Sequence, residues 1–233
     1  MSVKNFGAFK NVKAILIDVD NTLLDFNASA EKAMKDGYAR YGLPCPDNLF
    51  ETFKRINDDL WLQIERGEIT RSDLHKIRWQ LIFNELKTDF DGVTFEQTFL
   101  KNLHDCAVPV EGAAETLEYL AGKYPVYCAS NAFFEQQVHR LDISGLAPFV
   151  TELFVSEKIG FSKPDGRFFD YCFNRIPFSP QESVMIGDSL SADVDGGKNY
   201  GLYTCWFNPA GMKIAAPKAD VIINRLEELK DLF

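Results

Sequence analysis

The 233-residue sequence has no surplus of positive charge, no closely spaced cysteine pair and no long apolar run, and each absence removes a class of function. With 25 Lys and Arg against 34 Asp and Glu, the net charge is -9, which argues against a partner held mainly through phosphate contacts, such as a nucleic-acid polymer. A small phosphorylated metabolite stays open, because one metal ion or one lysine neutralises its charge locally. The five cysteines, Cys45, Cys106, Cys128, Cys172 and Cys205, are odd in number and never form C-x-x-C, so they read as reduced thiols with packing roles. No stretch approaches the roughly 20 apolar residues of a membrane span. Residues 1–13 lack an apolar segment behind their basic start, so the expectation is no membrane and a cytoplasmic location. The three histidines, His75, His104 and His139, lack ligand-like spacing. Nothing in the sequence speaks to oligomeric state.

What is present is 46% hydrophobic content, enough for a sizeable core, arranged in short β-branched runs at 14–17, 126–129, 153–155, 184–186, 204–207 and 221–223. Most are continuous rather than alternating, the pattern of parallel strands covered on both faces, and helix-like segments separate several of them. The expected fold class is α/β, a doubly wound parallel sheet. Gly122 behind 113–120 and Gly201 behind 192–200 mark helix ends, and Pro164 is expected to open a helix ending near Arg175. More than one hundred residues separate the first two strands, too many for one crossover. From 26 to 106 the periodicity is helical, as in Ala30, Ala33, Met34, Gly37 and Tyr38, with a break at Pro44 and Pro46 and a new start at Thr70 or Ser72. A helical insertion over 26–106 within an α/β core of 1–25 and 107–233 is therefore expected.

Four segments carry chemistry. The first strand runs into Asp18-Val19-Asp20-Asn21-Thr22, placing two carboxylates two residues apart at the sheet edge where α/β proteins bind ligands. Like charges held this close require a shared proton or a divalent cation. A second acidic pair follows an apolar strand in Gly187-Asp188-Ser189-Leu190-Ser191-Ala192-Asp193; Asp193 suits either a metal or the dipole of the next helix. Hard oxygen ligands from two strand ends suit magnesium. The expectation is that the carboxylates of Asp18, Asp20 and Asp188 surround one such ion. Between these pairs lie Ser130-Asn131, fit for anion binding or for an ordinary N-cap, and Lys163, which precedes Pro164 and is either solvated or aimed back over the sheet edge.

In this order the segments resemble the motifs of the haloacid dehalogenase-like hydrolase superfamily: D-x-D-x-T, a Ser or Thr strand end, a Lys, and G-D-x(4)-D. The likeness runs from Ala14 to about Asn208, and the insertion directly behind the first motif resembles the subgroup whose helical cap closes over the site from that point. The resemblance implies a phosphatase of small phosphate monoesters. Asp18 would form an aspartyl phosphate, and Asp20 would protonate the leaving oxygen and then activate water. It also implies Mg2+ held by Asp18, the backbone carbonyl of Asp20, Asp188 and Asp193, with Thr22, Ser130, Asn131 and Lys163 binding phosphate. An aspartate at position 20 separates the chain from dehalogenases, which attack carbon and use no acid there. Sugar phosphomutases share all four motifs and remain an alternative, as does a non-catalytic binding module of the same fold. A finer resemblance, to pyrimidine 5'-nucleotidases, rests on Asp59-Leu60-Trp61, on Gly67-Glu68-Ile69-Thr70 and on Thr204-Cys205-Trp206-Phe207-Asn208. It implies nucleoside 5'-monophosphate substrates, with Trp61 and Trp79 either stacking on a base or serving as ordinary core.

Overall fold

The structure is a computed structural model that describes residues 9–215 and 217–233; most of the stretch 1–13, read above for a leader, lies outside them. Six strands, β1 (Ala14–Ile17), β2 (Val126–Ser130), β3 (Glu152–Val155), β4 (Ser183–Gly187), β5 (Tyr203–Phe207) and β6 (Val221–Ile223), form one sheet in the order β3-β2-β1-β4-β5-β6. Every pairing is parallel. The order reverses at β1, whose neighbours β2 and β4 lead the chain to opposite sides, so the crevice typical of a doubly wound fold opens at the C-terminal ends of these strands. All four residues of β1 are buried, which explains its unbroken apolar run: Ala14 and Leu16 face the same way as Tyr127, Ala129, Phe154 and Met185, and Ile15 and Ile17 face the other.

The helices are, in chain order, α1 (Phe26–Arg40), α2 (Leu49–Glu65), α3 (Arg71–Leu86), α4 (Gly92–His104), α5 (Ala113–Ala121), α6 (Phe134–Ile143), α7 (Ser156–Ile159), α8 (Gly166–Phe173) and α9 (Gly196–Tyr200). Phe168, Phe169 and Cys172 of α8 cover one face of the sheet. This helix begins later than the sequence suggested. Pro164 is joined to Lys163 by a cis peptide and lies outside the helix, and Asp165 caps it by accepting from the Arg167 N–H at 2.9 Å. The carboxylate supplies the acceptor that an orphan first-turn amide needs, so the start is set by Asp165 rather than by proline.

The chain divides into two compact units, one ending at Asp25 and resuming with Val108–Phe233, the other Phe26–Ala107. The second is wholly helical, comprising α1 to α4. Thr70 caps α3 in a reciprocal box: its hydroxyl accepts from the Asp73 N–H, and the Asp73 carboxylate accepts from the Thr70 N–H. Its core is aromatic. Trp79 is fully buried with ring centroids 4.2 Å from Phe95, 5.4 Å from Phe99 and 5.9 Å from Phe53. Such ring pairs contribute about 0.5–1.5 kcal/mol each beyond area burial. Of its two expected roles Trp79 takes that of core, while Trp61 is only partly buried against the same cluster. The cysteines are free, and all but Cys45 are buried. No helix among the described residues is long and apolar enough to cross a membrane.

Candidate active site

β1 and β4 pair in register through Ile17 and Ile186, and the Asp18 N–H extends the ladder by donating to the Ile186 carbonyl at 2.8 Å. Asp18 and Asp188 therefore leave neighbouring strand tips together. Behind Asp18 the backbone turns sharply: Asn21 adopts a left-handed φ of 59°, and the Thr22, Leu23 and Leu24 amides converge on the Val19 carbonyl. This turn buries Thr22 completely, and its Oγ1 has no hydrogen-bond partner among the described residues. Thr22 thus serves the turn, and the structure gives its hydroxyl no partner within the site.

Beyond β4 the chain makes a single π-helical turn, Leu190–Asp195, which folds Asp193 back beneath the strand tip. One Asp193 oxygen accepts from the Ser189 N–H at 3.0 Å, and the other accepts from Lys163 Nζ at 2.6 Å. Asp193 is buried, so its place is inside the site rather than at an exposed helix end. Lys163 is likewise buried and donates to Asp18 Oδ1 at 2.7 Å and to the Ala129 carbonyl at 2.6 Å as well as to Asp193. Of the two options for this lysine, the structure takes the one aimed over the sheet edge.

Asn131 does something other than expected. Its Oδ1 accepts from the Lys163 N–H at 2.9 Å and its Nδ2 donates to the Lys163 carbonyl at 2.8 Å. An amide engaged at both ends on one backbone unit positions the lysine, and its Nδ2 keeps a second hydrogen beyond that bond. Ser130, at the tip of β2, is buried, and its Oγ accepts from Gln137 Nε2 at 2.9 Å.

Asp18, Asp188 and Asp193 each offer a carboxylate oxygen within 4.8 Å of the others. Opposite ligands on one magnesium lie about 4.2 Å apart, given ligand distances of ~2.1 Å, so this span brackets shared coordination. The Asp20 carboxylate, expected beside Asp18 and Asp188, is absent from the set, while Asp193, also expected to hold the metal, is part of it. Asp20 instead binds Arg140 Nη1 at 2.6 Å and Gln137 Nε2 at 2.5 Å. The physical reason is that a buried guanidinium demands a counter-charge, and Asp20 supplies one.

Three carboxylates here face one ammonium. Burial pushes the Asp18 carboxyl well above its usual range against the pull of Lys163, and Asp193 and Asp188 push in the same direction. Burial and then Asp193 raise Asp188 to about 7. Lys163 is held above its ordinary value, since Asp18 and Asp193 outweigh the opposing effect of burial. Uncompensated negative charge on hard oxygen donors is what a divalent cation relieves, so the residues fit a magnesium ion.

Gln137 and Arg140 escaped the sequence reading, and Trp206 entered it only through the nucleotidase likeness. Trp206 Nε1 donates to the Asp188 carbonyl at 2.9 Å and so steadies the tip of β4. Gln137 and Arg140 lie three apart on α6, directly behind the Ser130 strand, and a buried pair of polar residues on one helix face was the available signal. Gly187 was read as a motif letter only. A Cβ there would fall 2.1 Å from Asp193 Oδ2 and 2.3 Å from its carboxyl carbon, in a shell with no slack. Gly187→Ala is expected to cost about 1–3 kcal/mol in denaturant unfolding, as overpacking does, and to depress activity by displacing Asp193. Unchanged stability and turnover would show that Asp193 moves freely.

The model of the haloacid dehalogenase-like hydrolases matches residues 12–201, and the chain belongs to this family. It is similar to the HAD-hydrolase YfnB of Bacillus subtilis, with 36% identity over 94% of both chains. It is also similar to the pyrimidine 5'-nucleotidase PynA of Streptococcus pneumoniae, with 33% identity over 84% of both. The crystal structure of B. subtilis YfnB bound to magnesium superimposes with a TM-score of 0.87, at 35% identity, covering 94% of this chain and 96% of that one.

Proposed function

We propose that this protein is a magnesium-dependent phosphatase of small phosphate monoesters, acting through an aspartyl phosphate on Asp18, with nucleoside 5'-monophosphates of the pyrimidine type as its substrates. One observation carries the reading: Asp18, Asp188 and Asp193 bring carboxylate oxygens together at the sheet edge with Lys163 paired to two of them, while a separate carboxylate, Asp20, stands two residues beyond Asp18. Phosphate monoester hydrolysis is so slow uncatalysed that enhancements reach ~10²¹, and nucleophile, proton donor and charge neutralisation must all act together.

In the first step an Asp18 oxygen attacks phosphorus, the bond to the leaving oxygen breaks, and Asp20 delivers its proton to that oxygen. In the second step Asp20, now a carboxylate, takes a proton from water. The water oxygen attacks phosphorus, and the bond to Asp18 breaks to release inorganic phosphate and restore both aspartates. Lys163 and the Ser130 hydroxyl hold the phosphoryl oxygens. Asp18, Asp188, Asp193 and the Asp20 backbone carbonyl hold magnesium, which neutralises charge on the transferring group. The pyrimidine nucleotide preference rests on the stretches around Trp61 and Trp206 together with the likeness to PynA.

The test is a phosphate-release screen with magnesium over nucleotides, sugar phosphates and short acid phosphates. UMP, dUMP and dTMP are expected to exceed unrelated esters by at least about tenfold in kcat/KM, the contribution of a few well-made contacts to the base, with no release in EDTA. Equal rates across the panel would remove the nucleotide preference and leave the phosphatase. Silence across the whole panel would remove both.

A further inference from the structure

The strongest feature outside the carboxylate cluster is the seat built under Asp20. Its two oxygens are held separately, Oδ1 by Arg140 Nη1 at 2.6 Å and Oδ2 by Gln137 Nε2 at 2.5 Å. The amide of Gln137 is engaged three ways: Nε2 also donates to Ser130 Oγ at 2.9 Å, and Oε1 accepts from Arg140 Nη1 at 3.3 Å. Arg140 is 1% exposed at its side chain, whereas the Asp20 side chain is 27% exposed. A pair this asymmetric differs from a surface salt bridge, in which both partners are solvated and the geometry is loose. Here the cation is locked inside the protein, and the carboxylate is presented outward on top of it.

Rigidity is what this arrangement supplies. A planar guanidinium and a saturated amide leave the Asp20 carboxyl little torsional freedom, and both come from one face of α6, which starts close behind the Ser130 strand tip. A proton donor must sit within hydrogen-bond reach of the leaving oxygen, and misplacement by about 1 Å can cost 10²-fold in rate.

The geometry points to Arg140 and Gln137 as positioning residues that hold Asp20 for proton delivery to the leaving oxygen. Through Gln137 the same seat ties that proton donor to Ser130, so the acid and the phosphate-binding hydroxyl are aligned by a single side chain. The inference rests on Asp20 being the acid of the proposed reaction, and it adds residues that none of the four motifs contains.

Leaving-group dependence separates this role from a merely structural one. An alkyl ester such as UMP departs as a poor leaving group and needs the proton, whereas p-nitrophenolate leaves well without it. The experiment compares kcat/KM, which reports the step up to leaving-group departure, for UMP and p-nitrophenyl phosphate in the full-length protein with magnesium. Arg140→Met and Gln137→Met are expected to lose about 10²-fold or more on UMP, the lower range of general-acid catalysis, and less than about tenfold on the aryl ester. Arg140→Lys should recover only part of the loss, since one ammonium cannot meet both Asp20 and Gln137. Asp20→Asn is the control for the underlying reading and should show the same selectivity. If Asp20→Asn is selective while the Arg140 and Gln137 variants fall equally on both esters, or on neither, the seat is structural and the inference is overturned. If Asp20→Asn itself falls equally on both, the assignment of Asp20 as acid fails instead. Should Arg140→Met not fold, as judged by circular dichroism, Gln137→Met alone decides.

Discussion

Asp18→Asn is expected to abolish phosphate release by about 10⁴-fold or more while leaving the protein as stable as before, or slightly more so. The loss follows from removing the atom that attacks phosphorus, because an amide is a far weaker nucleophile and nothing else at the strand tip takes its place. The stability half of the expectation is less usual for a buried ion pair. Lys163 Nζ touches Asp18 at 2.7 Å but is shared with Asp193, Asp188 lies close by, and burial drives the Asp18 carboxyl well above its ordinary range. The charged form is thus disfavoured by the fold, and a neutral isostere that still accepts from Lys163 through its carbonyl oxygen relieves the repulsion. Thermal unfolding without metal, run beside a phosphate-release assay with magnesium, reads both halves. Turnover surviving at wild-type level would remove Asp18 as the nucleophile. A large fall in melting temperature would mean that the charge of Asp18 holds the fold together.

Lys163→Met is expected to fail in the opposite way, with both stability and activity lost. The ammonium is buried, satisfies Asp18, Asp193 and the Ala129 carbonyl at once, and is pinned at its backbone by Asn131. Removing it leaves two buried carboxylates without a counter-charge, and breaking a buried pair from one side typically costs about 3–5 kcal/mol. Loss of a charged contact to the transferring phosphoryl group should also reduce turnover by about 10²–10³-fold, the scale seen when one donor to developing charge is deleted. Urea unfolding of the single variants and of Asp18→Asn combined with Lys163→Met completes a cycle. The double variant should be more stable than Lys163→Met alone, because one of the stranded charges is gone. If the two effects simply add, the lysine and the aspartate are not coupled in the way their contact implies.

The contrast between these variants reflects the charge balance of the site. One cation pairs with two of three clustered carboxylates, so deleting a carboxylate relaxes the cluster and deleting the cation strains it. Asp20 stands outside that balance because Arg140 neutralises it separately. Two buried cations therefore divide four aspartates into a cluster fit for metal binding and a single residue held apart from it.

Much of this was legible in the sequence, for identifiable reasons. Each of the six strands lies within about one residue of its apolar run, since a central parallel strand must bury both faces and cannot alternate. The helical insertion was visible as a gap too long for any crossover, filled by 3.6-residue periodicity. Asp18, Asp188 and Asp193 stood out because they close or follow an apolar run, and Lys163 because it precedes Pro164 in the same series; strand tips are where a doubly wound sheet presents chemistry. Asp193 was placed only roughly, at the head of a helix, because a π-helical turn leaves no mark in a hydrophobic pattern.

Periodicity and spacing thus determined by themselves the layers of the molecule and which edge of the sheet carries its acids, because both follow from how short stretches of chain partition between water and core. Only the tertiary structure decided who meets whom at that edge. Asp20 turns to Arg140, 120 residues away in sequence, Asp193 folds in beside Asp18 and Asp188, Asn131 grips the backbone of Lys163 and Thr22 packs into the turn. Charges pair by distance and burial, and those are set when strands and helices from remote parts of the chain come together, not by any order of residues along it.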